Sequence, residues 1–164
     1  MGLLSADHMP RGVVAITLDL ANSAVVGDTE TMIYTLSFTA APKRIYKVCF
    51  RAAVVDTNGT GDNANSAIRY AKNAADIRCR WASGASVTTS SSSLGLIRAT
   101  VFDDDSVTAG GADASFYLLN PPRGQITVGI TLRAARASAT YGQVGLYPNA
   151  GSHLAIEDVG PHSE

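Results

Sequence analysis

Charge is scarce in this chain. Asp, Glu, Lys and Arg make up 16% of its 164 residues, against roughly 25% in an ordinary soluble domain. The balance is near neutral: 13 basic and 14 acidic residues give a net charge of -1. That argues against a strongly basic nucleic-acid module and against an acidic tail. A surface so poor in charge suits packing against other subunits.

Cysteine is rarer still. Cys49 and Cys79 stand far apart and outside any CxxC pair, so no zinc or thioredoxin-type motif is visible. Both fall in strand-like runs at core-compatible positions and read as free buried thiols. The three histidines, His8, His153 and His162, lack metal-ligand spacing. No GxSxG elbow, HExxH, P-loop or GxGxxG occurs, so the expectation is a protein without catalytic residues or cofactor.

No apolar run approaches 18 residues, so no transmembrane helix is expected. The opening MGLLSADHMPRG has neither the basic n-region nor the long apolar h-region of a secretory signal. Ala6 stands where the myristoylation pattern wants Ser or Thr. These features predict a soluble protein made in the cytoplasm, with no membrane partner.

What the chain does have is period two. In GVVAITLDLA, Val14, Ile16, Leu18 and Leu20 share one parity, with Val13, Ala15, Thr17 and Asp19 on the other. Met32, Tyr34, Leu36 and Phe38 alternate against Thr31, Ile33, Thr35, Ser37 and Thr39. Tyr46, Val48 and Phe50 oppose Lys47, Cys49 and Arg51, and Ile77, Cys79 and Trp81 oppose Arg78 and Arg80. QITVGITLR is cleanest, with Ile126, Val128, Ile130 and Leu132 on one side. LGLIRATVF is apolar on both parities and reads as a strand covered on both faces. Leu154 and Ile156 open a short closing strand that Gly160-Pro161 stops.

Turn-rich stretches at 40–44, 56–66, 83–95, 103–113 and 120–124 separate these runs. The pattern predicts an all-β single domain, an antiparallel jelly-roll-like β-sandwich over 13–161, with an N-terminal arm (1–12) and a short tail (162–164). Only SAIRYAKNAADI at 66–77 is rich enough in Ala to compete as a helix, the other reading being strand–turn–strand.

Three clusters invite chemistry. DTNGTG places Asp56, Asn58 and Thr60 at calcium-loop offsets, but Ala67 stands where the bidentate Glu belongs, so the stretch reads as a polar turn. Asp103, Asp104 and Asp105 are consecutive, and strand neighbours point to opposite faces, so they read as a solvated strand end. Arg69, Lys72, Arg78 and Arg80 form a local basic group. Contact with an anionic partner, such as a cell-surface polymer or an acidic patch of a neighbouring subunit, competes with a solvated sheet face. TTSSSS reads as a mobile loop. A carbohydrate-binding module would want a planar strip of exposed aromatics, whereas the single Trp, Trp81, has core parity.

Several stretches together carry a resemblance: MPRGVVA, KRIYKVCFRA, GQITVGITLRAAR and the near-terminal LAIEDVGP. They resemble small minor tail and virion surface proteins of tailed phages that infect actinobacteria. In that family a strand of form L-x-V-E-D-I/V-G-P closes a β-sandwich. It is matched here by Leu154, Ile156, Glu157, Asp158, Val159, Gly160 and Pro161. The family's Arg-x-Tyr strand opening is matched by Arg44, Ile45 and Tyr46, and its late strand by ITLRAAR. The family's Gly-Thr-Gly after that strand is replaced by a stretch with Ala139, Thr140, Tyr141 and Gly142. The resemblance implies a virion structural role without catalytic residues, as an exterior oligomer, a trimer, on the tail or baseplate; capsid decoration is the alternative. The implied partners are copies of the chain, phage tail or major capsid proteins and a host-surface glycan, with no nucleic acid. Met9, Pro10 and Arg11 in the arm, with Arg69, Arg78 and Arg80, are the expected partner-binding residues.

Overall fold

The computed structural model describes residues 9–59, 72–103, 110–147 and 151–162. Among them are nine strands: β1 (Gly12–Leu18), β2 (Thr31–Ala40), β3 (Arg44–Thr57), β4 (Lys72–Ser83), β5 (Ser92–Phe102), β6 (Gly110–Leu119), β7 (Gly124–Ala135), β8 (Val144–Leu146) and β9 (His153–Pro161). Every pairing is antiparallel. The pairings are nested: β4 with β5, β3 with β6, β2 with β7, β1 with β9. Rolling that long double ribbon brings β9 beside β3 and β7 beside β4. The result is two packed sheets, β1-β9-β3-β6 (with the short β8 also on β3) and β2-β7-β4-β5. This is the jelly-roll order of an antiparallel β-sandwich.

Alternation explains the core. Ile126, Val128, Ile130 and Leu132 of β7 all point inward and are fully buried. Facing them from the other sheet are Tyr46, Val48 and Phe50 of β3 and Leu154 and Ile156 of β9. Phe38 and Tyr46 pack across the sheets as a tilted pair at 4.7 Å between ring centroids, and Tyr34 meets Phe50 at 6.2 Å. Burying one such ring contributes about 2–3 kcal/mol.

Three strands differ from their periodicity. A bulge between Val13 and Ala15 shifts the register of β1 on β9. Ala15 packs against the core, while Val13, Ile16 and Leu18 stay exposed. A second bulge, between Met32 and Tyr34, leaves both residues of one sequence parity on opposite faces of β2. β5 is not covered on both sides. It is an edge strand, with Leu96 and Phe102 exposed. The 66–77 stretch is strand from Lys72 onward, and 66–71 lies outside the described residues. Cys79 is a core thiol, pushed up to about 12 by burial, whereas Cys49 faces outward on the other sheet, half-buried; both are free.

TTSSSS is a hydrogen-bonded turn. Ser91 N–H donates to Thr88 O at 3.0 Å, and Thr88 N–H to Ser91 Oγ at 3.0 Å. The segment preceding it folds over the outside of β7, burying Val87, and Thr127 Oγ donates to Gly84 O at 2.7 Å. Gly129 lies beneath this cover. A Cβ there would stand 2.5 Å from Met32 Sδ and 2.9 Å from Val87 Cγ1. Met32 can swing aside, but the branched Val87 has less freedom. Gly129→Ala should therefore lower unfolding stability by about 1–3 kcal/mol, measured by urea denaturation; a wild-type midpoint would show that the cover yields freely.

Candidate functional site

One end of the sandwich carries a cleft of about 870 Å³. It is bounded by the β2–β3 turn, the β6–β7 turn, the C-terminal end of β9 and the arm entering β1. Its cations are Arg11, Lys43, Arg44 and Arg123, with His162 beside them; Ala40, Ala41, Pro42 and Pro161 supply apolar wall.

The base of the cleft is a buried ion pair. Arg44 and Asp158 sit on the core-facing parity of β3 and β9, their side chains 4% and 0% exposed. Arg44 Nε donates to both carboxylate oxygens at 3.0 and 2.9 Å, and Nη2 donates to Oδ1 at 2.5 Å. Asp158 also accepts from Gly160 N–H at 3.1 Å. Asp158 of the terminal IEDVGP stretch is thus a structural partner for Arg44. The arm joins the same node: Arg44 Nη2 donates to Met9 O at 2.6 Å, Arg11 N–H to Asp158 O at 3.1 Å, and Arg11 Nε lies 4.0 Å from Asp158 Oδ2. Pro10 lies beside Gly160.

The two turns are stitched together. Lys43 N–H donates to Asn120 Oδ1, Asn120 N–H to Arg44 O and His162 N–H to Lys43 O, each at 2.9 Å. Lys43 (φ 56°) and Asn120 (φ 46°) both adopt the left-handed conformation. For a lysine that conformation costs roughly 1–2 kcal/mol.

Arg78 and Arg80 lie elsewhere, on the outer face of the β2 sheet. Glu30 gathers them: Arg80 binds its carboxylate at 2.7 and 2.8 Å, Arg78 Nε lies at 3.8 Å, and Thr131 Oγ donates at 2.6 Å. Alongside, Arg98 and Arg133 share Asp76, at 2.6 Å each. Four arginines against two carboxylates leave this face cationic. Arg69 lies outside the described residues, as do Asp104 and Asp105. Asp103 is buried and accepts from Asn73 Nδ2 and Gly142 N–H at 2.8 and 2.6 Å. Its carboxylate is occupied in holding loops. Asp56 likewise accepts from Thr57 N–H at 2.8 Å.

The Arg80 hydrogen bond, assisted by Thr131 and Arg78, holds Glu30 down to about 2 against an ordinary 4.5. Asp76 is also lowered, first by its hydrogen bond to Arg98 and then by Arg133. A carboxylate lowered on folding stabilises the fold above its unfolded value and loses that contribution as pH falls through its folded value. Unfolding midpoints should therefore drop between pH 4.5 and 2. Glu30→Gln should flatten that part of the curve; an unchanged slope would mean the drop originates elsewhere.

Sequence reasoning separated the arm residues from the basic strand and missed Lys43, Arg123 and His162. A signal was present: four of the six prolines precede a basic residue, at Pro10-Arg11, Pro42-Lys43, Pro122-Arg123 and Pro161-His162. All four of those basic residues line the cleft.

A family model described as a domain of unknown function, DUF7298, matches residues 3–164. No curated protein matches the chain. Among solved structures it is similar to a chain from the infectious bursal disease virus Gx strain, at 10% identity and a TM-score of 0.42, covering 98% of this chain and 45% of that one. It is also similar to the enzymatically active domain of tailspike protein 4 of bacteriophage CBA120, at 10% identity and a TM-score of 0.25, covering 86% and 19%. The chain spans less than half the length of either solved chain.

Proposed function

We propose that this chain, which belongs to the DUF7298 family, is a non-enzymatic structural protein of a tailed-phage virion, assembling as a trimer on the exterior of the tail or baseplate. The observation that carries the assembly reading is the outer face of the β1 sheet. Residues paired across the strands form rows on it: Val13–Glu157–Lys47–Tyr117, Ile16–Ala155–Cys49–Ser115 and Leu18–His153–Arg51–Asp113, with Ile45–Leu119 at one end. Val13, Ile16, Leu18, Tyr117 and Leu119 are each 48–61% exposed. The outward face of a solvated antiparallel sheet is ordinarily polar. Here apolar residues stand exposed at both edges of the face, on β1 and on β6, with the charged pairs of β9 and β3 between them, and exposed apolar clusters mark an interaction surface.

The occupant is another copy of this chain. The rows contain two cations, Lys47 and Arg51, and two carboxylates, Glu157 and Asp113, so the face is neutral, and one part of it can meet another part on the next copy, the head-to-tail contact that a closed three-fold ring needs. Exposed β1, an edge strand with apolar side chains, needs a cover for the same reason. The virion context rests on the resemblance of LAIEDVGP and its companion stretches. Asp158, the acidic residue of that motif facing inward, serves Arg44 and the arm, which fits a scaffold better than a reaction centre.

Sedimentation of the full chain tests the assembly: the expected mass is about 51 kDa, three chains of 17.0 kDa. A monomer at micromolar concentration overturns it. Deleting residues 2–11 should abolish binding to phage particles while leaving the sandwich folded; full occupancy by the truncated chain rules out the arm as anchor.

A further inference from the structure

We propose that the end cleft is a binding site for a phosphate ester group. Charge comes first. Among the described residues that line the cleft there is no carboxylate; Asp158, beneath, holds Arg44 and lies 4.0 Å from Arg11, and Lys43 and Arg123 add two further positive charges to the concavity of a chain whose net charge is -1. Arg44 is committed to Asp158 and the Met9 carbonyl. Lys43 and Arg123 have no carboxylate partner among the described residues. A concave cationic surface focuses its field on an incoming anion. A phosphate ester offers two non-bridging acceptor oxygens as a diester and three as a monoester, set tetrahedrally on one centre, and so uses several separate donors better than a planar carboxylate does.

Preorganisation comes second. Each cation follows a proline, which fixes the preceding φ, or stands in a turn stitched to its neighbour. Lys43 is held in a conformation that glycine or asparagine would adopt at less cost. Backbone strain at a charged, exposed position points to a side chain kept for what it contacts. The apolar wall of Ala41, Pro42 and Pro161 accommodates the organic part of an ester. The site does not depend on the assembly proposed above.

Calorimetric titration of the full chain at low salt tests this with glycerol 3-phosphate, poly(glycerol phosphate) and a single-stranded oligonucleotide. At least one probe should bind, with affinity falling as salt screens the charges. Arg123→Ala should weaken it about tenfold, the loss of one charge-assisted contact. Lys43→Gly should weaken it similarly while raising the melting temperature by about 2–4 °C, since the strain is relieved. A merely structural lysine would not separate affinity from stability in this way. Preference for the glycerol phosphate polymer over the oligonucleotide, or the reverse, names the source of the phosphate, and either supports the site. Absence of binding by all three probes, or binding indifferent to both substitutions, overturns it.

Discussion

Asp158→Ala should be the most destabilising single substitution among the polar residues, lowering unfolding free energy by about 3–5 kcal/mol. The cost does not measure what the ion pair adds over an apolar core. It comes from leaving Arg44, 4% exposed, with its charge buried and its Nε stripped of both carboxylate acceptors, while Nη2 keeps the Met9 carbonyl. The Gly160 amide loses its acceptor as well, where the chain turns out of β9 at φ 132°. Urea denaturation with a two-state fit reads the loss. The double replacement Arg44→Met, Asp158→Leu should recover most of it, because two apolar side chains of similar volume leave no stranded charge. Recovery in the double variant separates ion-pair loss from general disruption of the β3–β9 ladder. A single-variant loss under about 1 kcal/mol would show that water reaches Arg44 and that the pair does not hold this end of the sandwich. The arm gives a second readout. Met9 O and Arg11 N–H both meet the Arg44–Asp158 node, so amide exchange at Arg11 should accelerate in Asp158→Ala.

The same node shows how far the sequence could be read. Period two identified the core of β7 and β9, because a strand with one buried face must alternate. A bulge adds one residue to a ladder without any compositional mark, so the inward set of β1 came out as Ala15 and not the larger residues of the other parity. LGLIRATVF looked covered on both faces because it is apolar on both parities; in the fold Leu96 and Phe102 share the outward, exposed parity with Arg98 and Thr100, and β5 is also an edge. Arg78 and Arg80 were legible as one face of a strand, yet Glu30, which binds them, lies 50 residues from Arg80. The cleft was less legible still. Its cations come from the arm, two turns and the chain end, brought together by the nested pairing. In one dimension they are ordinary turn residues, and the repeated proline–basic step becomes informative only once those turns share an end.

Ile16→Glu should dissociate the assembly, raising its dissociation constant at least 100-fold, or about 2.7 kcal/mol. Of the three rows that cross all four strands of the outer β1-sheet face, Ile16 stands in the one without a charged member, Ile16–Ala155–Cys49–Ser115. A carboxylate covered there by a second copy has no cation in its own row, and a desolvated, unpaired charge is expensive. The folded monomer should tolerate it, because Ile16 is already 48% exposed and surface substitutions ordinarily change stability by about 0.5 kcal/mol or less. Sedimentation equilibrium across a concentration series measures the dissociation, and thermal unfolding of the dilute protein confirms the fold. Thr100→Glu is the matched control, an exposed residue on β5 of the opposite sheet, and should leave the assembly intact. The row above makes the reading sharper. Lys47 and Glu157 lie 3.8 Å apart within one copy, so reversing both, Lys47→Glu with Glu157→Lys, keeps each chain neutral while changing the pattern its neighbour meets. If copies meet through this face, the reversed chain should assemble with itself and fail to mix with the original. Free mixing of the two would move the interface off the β1 sheet, and loss of assembly in Thr100→Glu but not Ile16→Glu would place it on the arginine-rich outer face of the β2 sheet.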